Sequence, residues 1–155
     1  MAPLRQEREV IVEGTKGAAD DQFRPKMLVF STVTISDIGV DLAGSAHMHY
    51  PPSAVAIPLP CSSGIKPEWI LYALEHGFDG VFVAADGTDC PFVPDCTDRT
   101  AKLVDRAQNL LRENDIKPER LKMAAVCSVC AESYVKHMQT FLENLEKLGP
   151  ATGVG

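Results

Sequence analysis

No run of about 18 apolar residues occurs in this chain of 155 residues, so nothing in it is expected to span a bilayer. The stretch from Met1 to Asp21 lacks the apolar core of a signal peptide and carries Arg5, Glu7, Arg8, Glu9, Asp20 and Asp21 instead. A reducing, cytoplasmic location is therefore expected. No G-x-G-x-x-G, phosphate-binding loop or H-E-x-x-H pattern is present, which leaves no nucleotide site and no evident acid–base machinery. An excess of basic residues is also missing. The net charge of −6 argues against nucleic acid or an anionic membrane as partner. No internal repeat is seen.

What the chain does have is an apolar fraction of 45% and a length that fits one domain. Residues 1–25 read as a flexible tail or partner-binding arm, in which Glu9–Val12 could pair as an edge strand. Residues 26–150 read as the folded domain and 151–155 as a short C-terminal tail. Strands are predicted at Met27–Phe30, Ala54–Leu59, Gly80–Ala84 and Leu121–Val126. Pro58 marks the second as an edge strand or a strand end. Helices are predicted from Asp37 to His47, from Pro67 to Glu75, around Leu103–Leu111 and from the Cys127–Cys130 segment to Gly149. Gly39 and Gly44 are each expected to weaken the first helix by about 1 kcal/mol relative to Ala. Thr97 or Asp98 can cap the third. Four strand–helix alternations imply right-handed crossovers and a parallel sheet covered on both faces. The expected fold is α/β: a small flavodoxin- or Rossmann-like three-layer arrangement with a four-stranded parallel sheet.

The five cysteines fall in a pattern. Cys61 follows the second strand, Cys90 and Cys96 lie in the loop after the third, and Cys127 and Cys130 follow the fourth. All five belong to the carboxyl edge of the sheet, where such folds bind ligands. None is expected on a helix stripe or inside a strand. Cys127–Ser128–Val129–Cys130 has the spacing that lets two thiolates grip one metal, and it opens a helix whose N-terminus favours negative charge. Cys90 and Cys96 can complete a four-thiolate set, with Cys61 as alternative or neighbour. Four thiolates suit an iron–sulfur cluster or tetrahedral zinc, and spacing does not choose between them. The same C-x-x-C also fits a thiol–disulfide oxidoreductase using Cys127 and Cys130. Asp86 and Asp89 are read as caps of backbone N–H groups or as barriers to solvent. His47 and His49 are expected to be exposed, and His76 and His137 to be ordinary surface residues.

Several short runs carry a resemblance. They are Asp41–Gly44, Tyr50–Pro52, Pro60–Ser62, Pro67–Ala73, Gly77–Val81, Asp89–Cys90, Pro118–Leu121 and Leu148–Pro150. In that order they resemble the delta-subunit family of methyl-viologen-reducing hydrogenase, from about Lys26 to Pro150. The resemblance implies a 2Fe–2S cluster that relays electrons between an oxidoreductase module, such as a hydrogenase or formate dehydrogenase, and a heterodisulfide reductase A-like flavoprotein subunit. The larger complexes concerned often bifurcate electrons, and the small subunit itself performs no substrate chemistry. A 4Fe–4S cluster, or a structural adaptor with zinc or no metal, is the alternative. The family usually has a C-x-x-C after strand one, where this chain has Thr32–Val33–Thr34–Ile35. It often has Gly-Cys-His after strand three, where this chain has Ala85–Asp86–Gly87. Cys61 and Cys90 carry over directly, and Cys127 and Cys130 resemble the C-S-V-C variant of one branch. The expected ligands are thus drawn from Cys61, Cys90, Cys96, Cys127 and Cys130.

Overall fold

Six consecutive buried residues, Met27–Thr32, form the first strand, β1, of a computed structural model that describes residues 22–151. An uninterrupted buried run is what a strand covered on both faces requires. The chain continues through α1 (Ser36–Ser45), β2 (Ala54–Leu59), α2 (Pro67–Glu75), β3 (Gly80–Ala85), α3 (Cys96–Glu113), β4 (Leu121–Ala125) and α4 (Ala131–Leu148). The four strands pair in parallel in the order β2-β1-β3-β4. The expected α/β fold with a four-stranded parallel sheet is therefore what the chain adopts. The expected Glu9–Val12 strand and most of both tails lie outside the described residues. No helix among the described residues is long and apolar enough to cross a membrane.

Alternation along β1 divides the core in two. Leu28 and Phe30 pack with Ile70, Leu74, Leu103 and Leu111 from α2 and α3. Met27 and Val29 pack with Val40 of α1 and with Tyr134, Met138, Phe141 and Leu145 of α4. β3 is buried throughout, whereas β2 is an exposed edge that carries Val55 and Ile57. The Val33 N–H donates to the Leu59 carbonyl at 2.9 Å, so Leu59 turns its backbone toward β1 and Pro58, one residue away, turns outward. A proline therefore removes no ladder bond there and confirms the edge position.

Three sequence expectations need correction. Gly39 is not merely a weak point of α1: a Cβ there would stand 2.6 Å from the Cys127 carbonyl oxygen, so the glycine lets α1 approach the turn after β4. α3 begins at Cys96, and neither Thr97 nor Asp98 caps it, because the Thr97 hydroxyl donates to the Gly87 carbonyl at 2.5 Å. His137 is half-buried against Phe82, with ring centroids 5.9 Å apart, and burial pushes its imidazole below the ordinary value.

Tyr134 is fully buried, stands edge-on to Tyr50, and its Oη has no partner among the described residues. Burial pushes its phenol well above the ordinary value. An unpaired buried hydroxyl costs about 1 kcal/mol or more. Tyr134→Phe is accordingly expected to raise stability by about 1 kcal/mol, read by urea unfolding. A loss of stability would mean that the hydroxyl has a partner.

Candidate functional site

Parallel pairing sends every strand's carboxyl end to one edge, and the loops leaving β2, β3 and β4 bring all five cysteines there. They do not form one group. Cys61 Sγ lies 3.7 Å from Cys96 Sγ, while Cys127 and Cys130 are bonded to each other as a disulfide. β2 and β4 are separated by β1 and β3, which puts their ends about 14 Å apart at the usual strand spacing. Among the described residues no three of His, Cys, Asp and Glu stand as a ready set for one metal ion.

Cys61 sits at the start of a single 3₁₀ turn, Ser62–Gly64, against which the first turn of α3 packs. Ser62 fastens the two: its hydroxyl lies 3.0 Å from Thr100 Oγ1 and 3.6 Å from Cys96 Sγ. Cys96 is 2% exposed and heads the buried stripe that continues through Thr100, Leu103, Ala107 and Leu111. The expectation that no cysteine lies on a helix stripe fails for this residue. The 3.6-residue repeat places Cys96 over the core as surely as it places Leu103. Cys61 and Cys90 are half-buried.

The two neighbouring thiols differ electrostatically. Burial acts to raise the Cys61 thiol, but hydrogen bonds from the Ser63 hydroxyl and backbone N–H and from Cys96 outweigh it and hold Cys61 below its ordinary value. The Ser63 hydroxyl is 2.9 Å from Cys61 Sγ. Burial pushes the Cys96 thiol up, and the charges of Cys61 and Cys90 push it the same way. Of the pair, Cys61 is thus the thiol that gives up its proton first. In the metal-free chain at neutral pH, iodoacetamide is expected to modify Cys61 at least about tenfold faster than Cys96, and Ser63→Ala should slow the Cys61 reaction several-fold. Peptide mass spectrometry reads both rates, and equal rates would contradict this arrangement. From the sequence, Ser62 figures only as part of the Pro60–Ser62 run and Ser63 not at all, although their place directly after Cys61 is the available signal.

Between the two thiol groups lies a buried polar cluster. Thr32, at the end of β1, donates its hydroxyl to Asp86, at the end of β3. Ser36 Oγ accepts from the Thr32 N–H at 2.6 Å and donates to the Ala84 carbonyl at 2.9 Å. Asp86 therefore ties two strand ends together through side chains, and the expected backbone cap is not made. Thr32 and Asp86 occupy stretches where the resemblance implies thiols, and here they satisfy each other. His47, His49 and His76 are exposed as expected, and His76 stacks on Tyr72. The side chain of Asp89 is not described.

A doubly covered parallel sheet whose loops gather cysteines at the carboxyl edge defines a small α/β protein with thiol-lined strand ends. More particularly, the chain belongs to the methyl-viologen-reducing hydrogenase delta subunit family, whose model matches residues 27–149. It is 33% identical over 111 residues to the vhu iron–sulfur subunit of the F420-non-reducing hydrogenase of Methanopyrus kandleri, covering 71% of this chain and 83% of that one. It is 28% identical over 131 residues to the iron–sulfur subunit of the F420-non-reducing hydrogenase of Archaeoglobus profundus, covering 84% and 95%. It is also 32% identical over 111 residues to the A-type subunit of the ferredoxin:CoB-CoM heterodisulfide reductase of Methanosarcina mazei. That match covers 71% of this chain but only 14% of the much longer relative.

Proposed function

We propose that this chain is an electron-relay component of a larger oxidoreductase complex, that it holds an iron–sulfur cluster, most simply 2Fe–2S, and that it docks on a heterodisulfide reductase A-like flavoprotein subunit. Two kinds of relative support the reading. One is named as a hydrogenase iron–sulfur subunit, and the other is a heterodisulfide reductase component that contains a stretch like this chain. A stretch that occurs both as a free-standing protein and inside a longer reductase chain suits a part that works by contact with that chain.

The single observation that carries the reading is the Cys61–Cys96 spacing. Two thiolates about 2.3 Å from one tetrahedral metal stand about 3.8 Å apart, and these two sulfurs are at 3.7 Å. The donor chemistry therefore fits a thiolate-held group at this end of the sheet. Cys61 and Cys96 would hold one iron. Cys90, whose charge is felt at Cys96, would supply a third thiolate, and Ser63 is an oxygen already in contact with Cys61. Bound there, such a cluster accepts and donates single electrons. The chain's own residues do the rest: Ser62 and Thr100 fix the distance between the loop and α3, and the buried stem of α3 keeps Cys96 from turning away.

Anaerobic analysis of iron and acid-labile sulfide, with a visible spectrum, tests the reading. Iron and sulfide in matching amounts are expected, with loss of more than about 80% of both in Cys61→Ser and in Cys96→Ser. Zinc alone, or no metal, in an anaerobic preparation that still binds the flavoprotein would make this protein an adaptor.

A further inference from the structure

We propose that Cys127 and Cys130 form a second redox site of their own, a two-electron dithiol–disulfide couple that exchanges with a small dithiol and is separate from the neighbouring Cys61 and Cys96, where the cluster is proposed. The first reason is position. The pair lies beyond β4 on the α1/α4 side, where the Cys127 carbonyl backs onto Gly39. Cys61 and Cys96 lie on the α2/α3 side, fastened to Ser62 and Thr100. The hydrogen-bonded Thr32–Ser36–Asp86 cluster fills the strand ends between them. The second reason is the bond itself, made between residues with a Cα–Cα distance of 5.0 Å in a turn that the rest of the fold holds still. The Val126 N–H donates to the Ala85 carbonyl at 2.8 Å, the Cys130 N–H to the Cys127 carbonyl at 3.1 Å, and the Tyr134 N–H to the Cys130 carbonyl at 3.0 Å.

The third reason is access. Thiol–disulfide exchange needs a sulfur that the incoming thiolate can reach, and these two residues are half-buried while Val129 between them is 80% exposed. Cys130 opens onto a shallow groove of about 460 Å³ lined on one side by Leu42, Ala46, Met48 and Val129 and on the other by Glu132 and Ser133. That volume suits a small molecule, and the apolar side suits the short carbon chain of a dithiol, with Glu132 and Ser133 leaving room for its polar groups. The fourth reason is the helix end. Cys130 is the residue before the first turn of the 18-residue α4, and no side chain caps that turn. The unused N–H groups and the helix dipole favour a thiolate at this sulfur.

The chemistry balances. One thiolate of the incoming dithiol attacks Cys130 Sγ from the groove, forming a mixed disulfide and releasing Cys127 as a thiolate that takes up a proton. The second thiolate of the dithiol then attacks its own sulfur in the mixed disulfide, closing the ligand's disulfide and releasing Cys130 as the thiolate held at the helix end. The protein disulfide gains two electrons and one proton, on Cys127, and the dithiol loses two electrons and two protons, the second proton passing to solvent. The reverse sequence begins with Cys130 attacking the oxidised ligand.

The test uses the full chain and dithiothreitol as the dithiol, across a series of oxidised-to-reduced ratios, with alkylation of Cys127 and Cys130 read by mass spectrometry. The two residues should pass together from unmodified to doubly modified in the folded protein. In Cys127→Ser, the remaining Cys130 should form a mixed disulfide with a chromogenic aromatic disulfide at least about tenfold faster than Cys127 does in Cys130→Ser. Iron and sulfide should be unchanged in both variants. Two results overturn the proposal. One is a pair that dithiothreitol reduces only once the wild-type chain is unfolded, as a structural brace would behave; this needs no variant to fold. The other is loss of iron from both variants while they melt as the wild type does, which would make the two residues cluster ligands.

Discussion

Arg120→Ala is expected to lower the unfolding free energy by about 4 kcal/mol and the melting temperature by about 12 °C. Arg120 is 3% exposed, and its guanidinium donates to three backbone carbonyls. Nη1 reaches the Asp79 carbonyl at 3.0 Å, and Nη2 reaches those of Pro150 at 2.9 Å and Leu148 at 3.4 Å. These carbonyls belong to the turn before β3 and to the end of α4, so one side chain closes the amino edge of the sheet. Asp79 works beside it, accepting from the Lys26 N–H at 2.9 Å and the Ala151 N–H at 3.0 Å. A hydrogen bond from a charged donor is worth about 1.5–3 kcal/mol, and truncation leaves its acceptors stranded. Arg120→Lys should recover less than half, because an ammonium cannot fork toward acceptors on two segments. Denaturant unfolding followed by circular dichroism checks both variants, and a loss below about 1 kcal/mol for alanine would show that water replaces the guanidinium without penalty.

Two glycines of one helix are expected to respond with opposite signs. Gly44→Ala should stabilise the chain by up to about 1 kcal/mol, since a Cβ there meets nothing within 4 Å and alanine is the better helix former. Gly39→Ala should destabilise it by about 2 kcal/mol despite the same propensity gain. Its Cβ would lie 2.6 Å from the Cys127 carbonyl oxygen and 3.3 Å from Val126 Cγ1, and a backbone atom inside a hydrogen-bonded turn cannot step aside. α1 and the disulfide-bearing turn must then separate. In Gly39→Ala, reduction of Cys127–Cys130 by dithiothreitol should therefore also change in rate, whereas Gly44→Ala should leave it alone. Equal stability changes at the two sites would remove the claim that α1 is pressed against that turn.

The sheet was legible because strands covered on both faces must be continuously apolar, and Met27–Phe30 and Gly80–Ala84 have no other use for such runs. β2 and α2 were expected at the same limits that the structure gives them, Ala54–Leu59 and Pro67–Glu75. Proline explains both: Pro58 tolerates only an edge, and Pro67 fits only the first turn of a helix. The family was legible too, from short runs in a fixed order. Helix starts were less so. α3 begins at Cys96 because the Thr97 hydroxyl prefers the Gly87 carbonyl, a partner ten residues earlier in the chain.

The sequence by itself determined that five cysteines come to the carboxyl edge of a parallel sheet, because chain order and parallel pairing leave them no other edge. Only the tertiary structure decided how they group. The strand order β2-β1-β3-β4 sends Cys61 and Cys127 to opposite flanks, and a linear pattern of apolar runs does not encode that order. Crossover to the two faces then joins Cys96 to Cys61 and leaves Cys127 with Cys130. Contacts between residues far apart in the chain, Ser62 with Cys96 across 34 positions and Thr32 with Asp86 across 54, are settled by packing and hydrogen-bond satisfaction in the folded core.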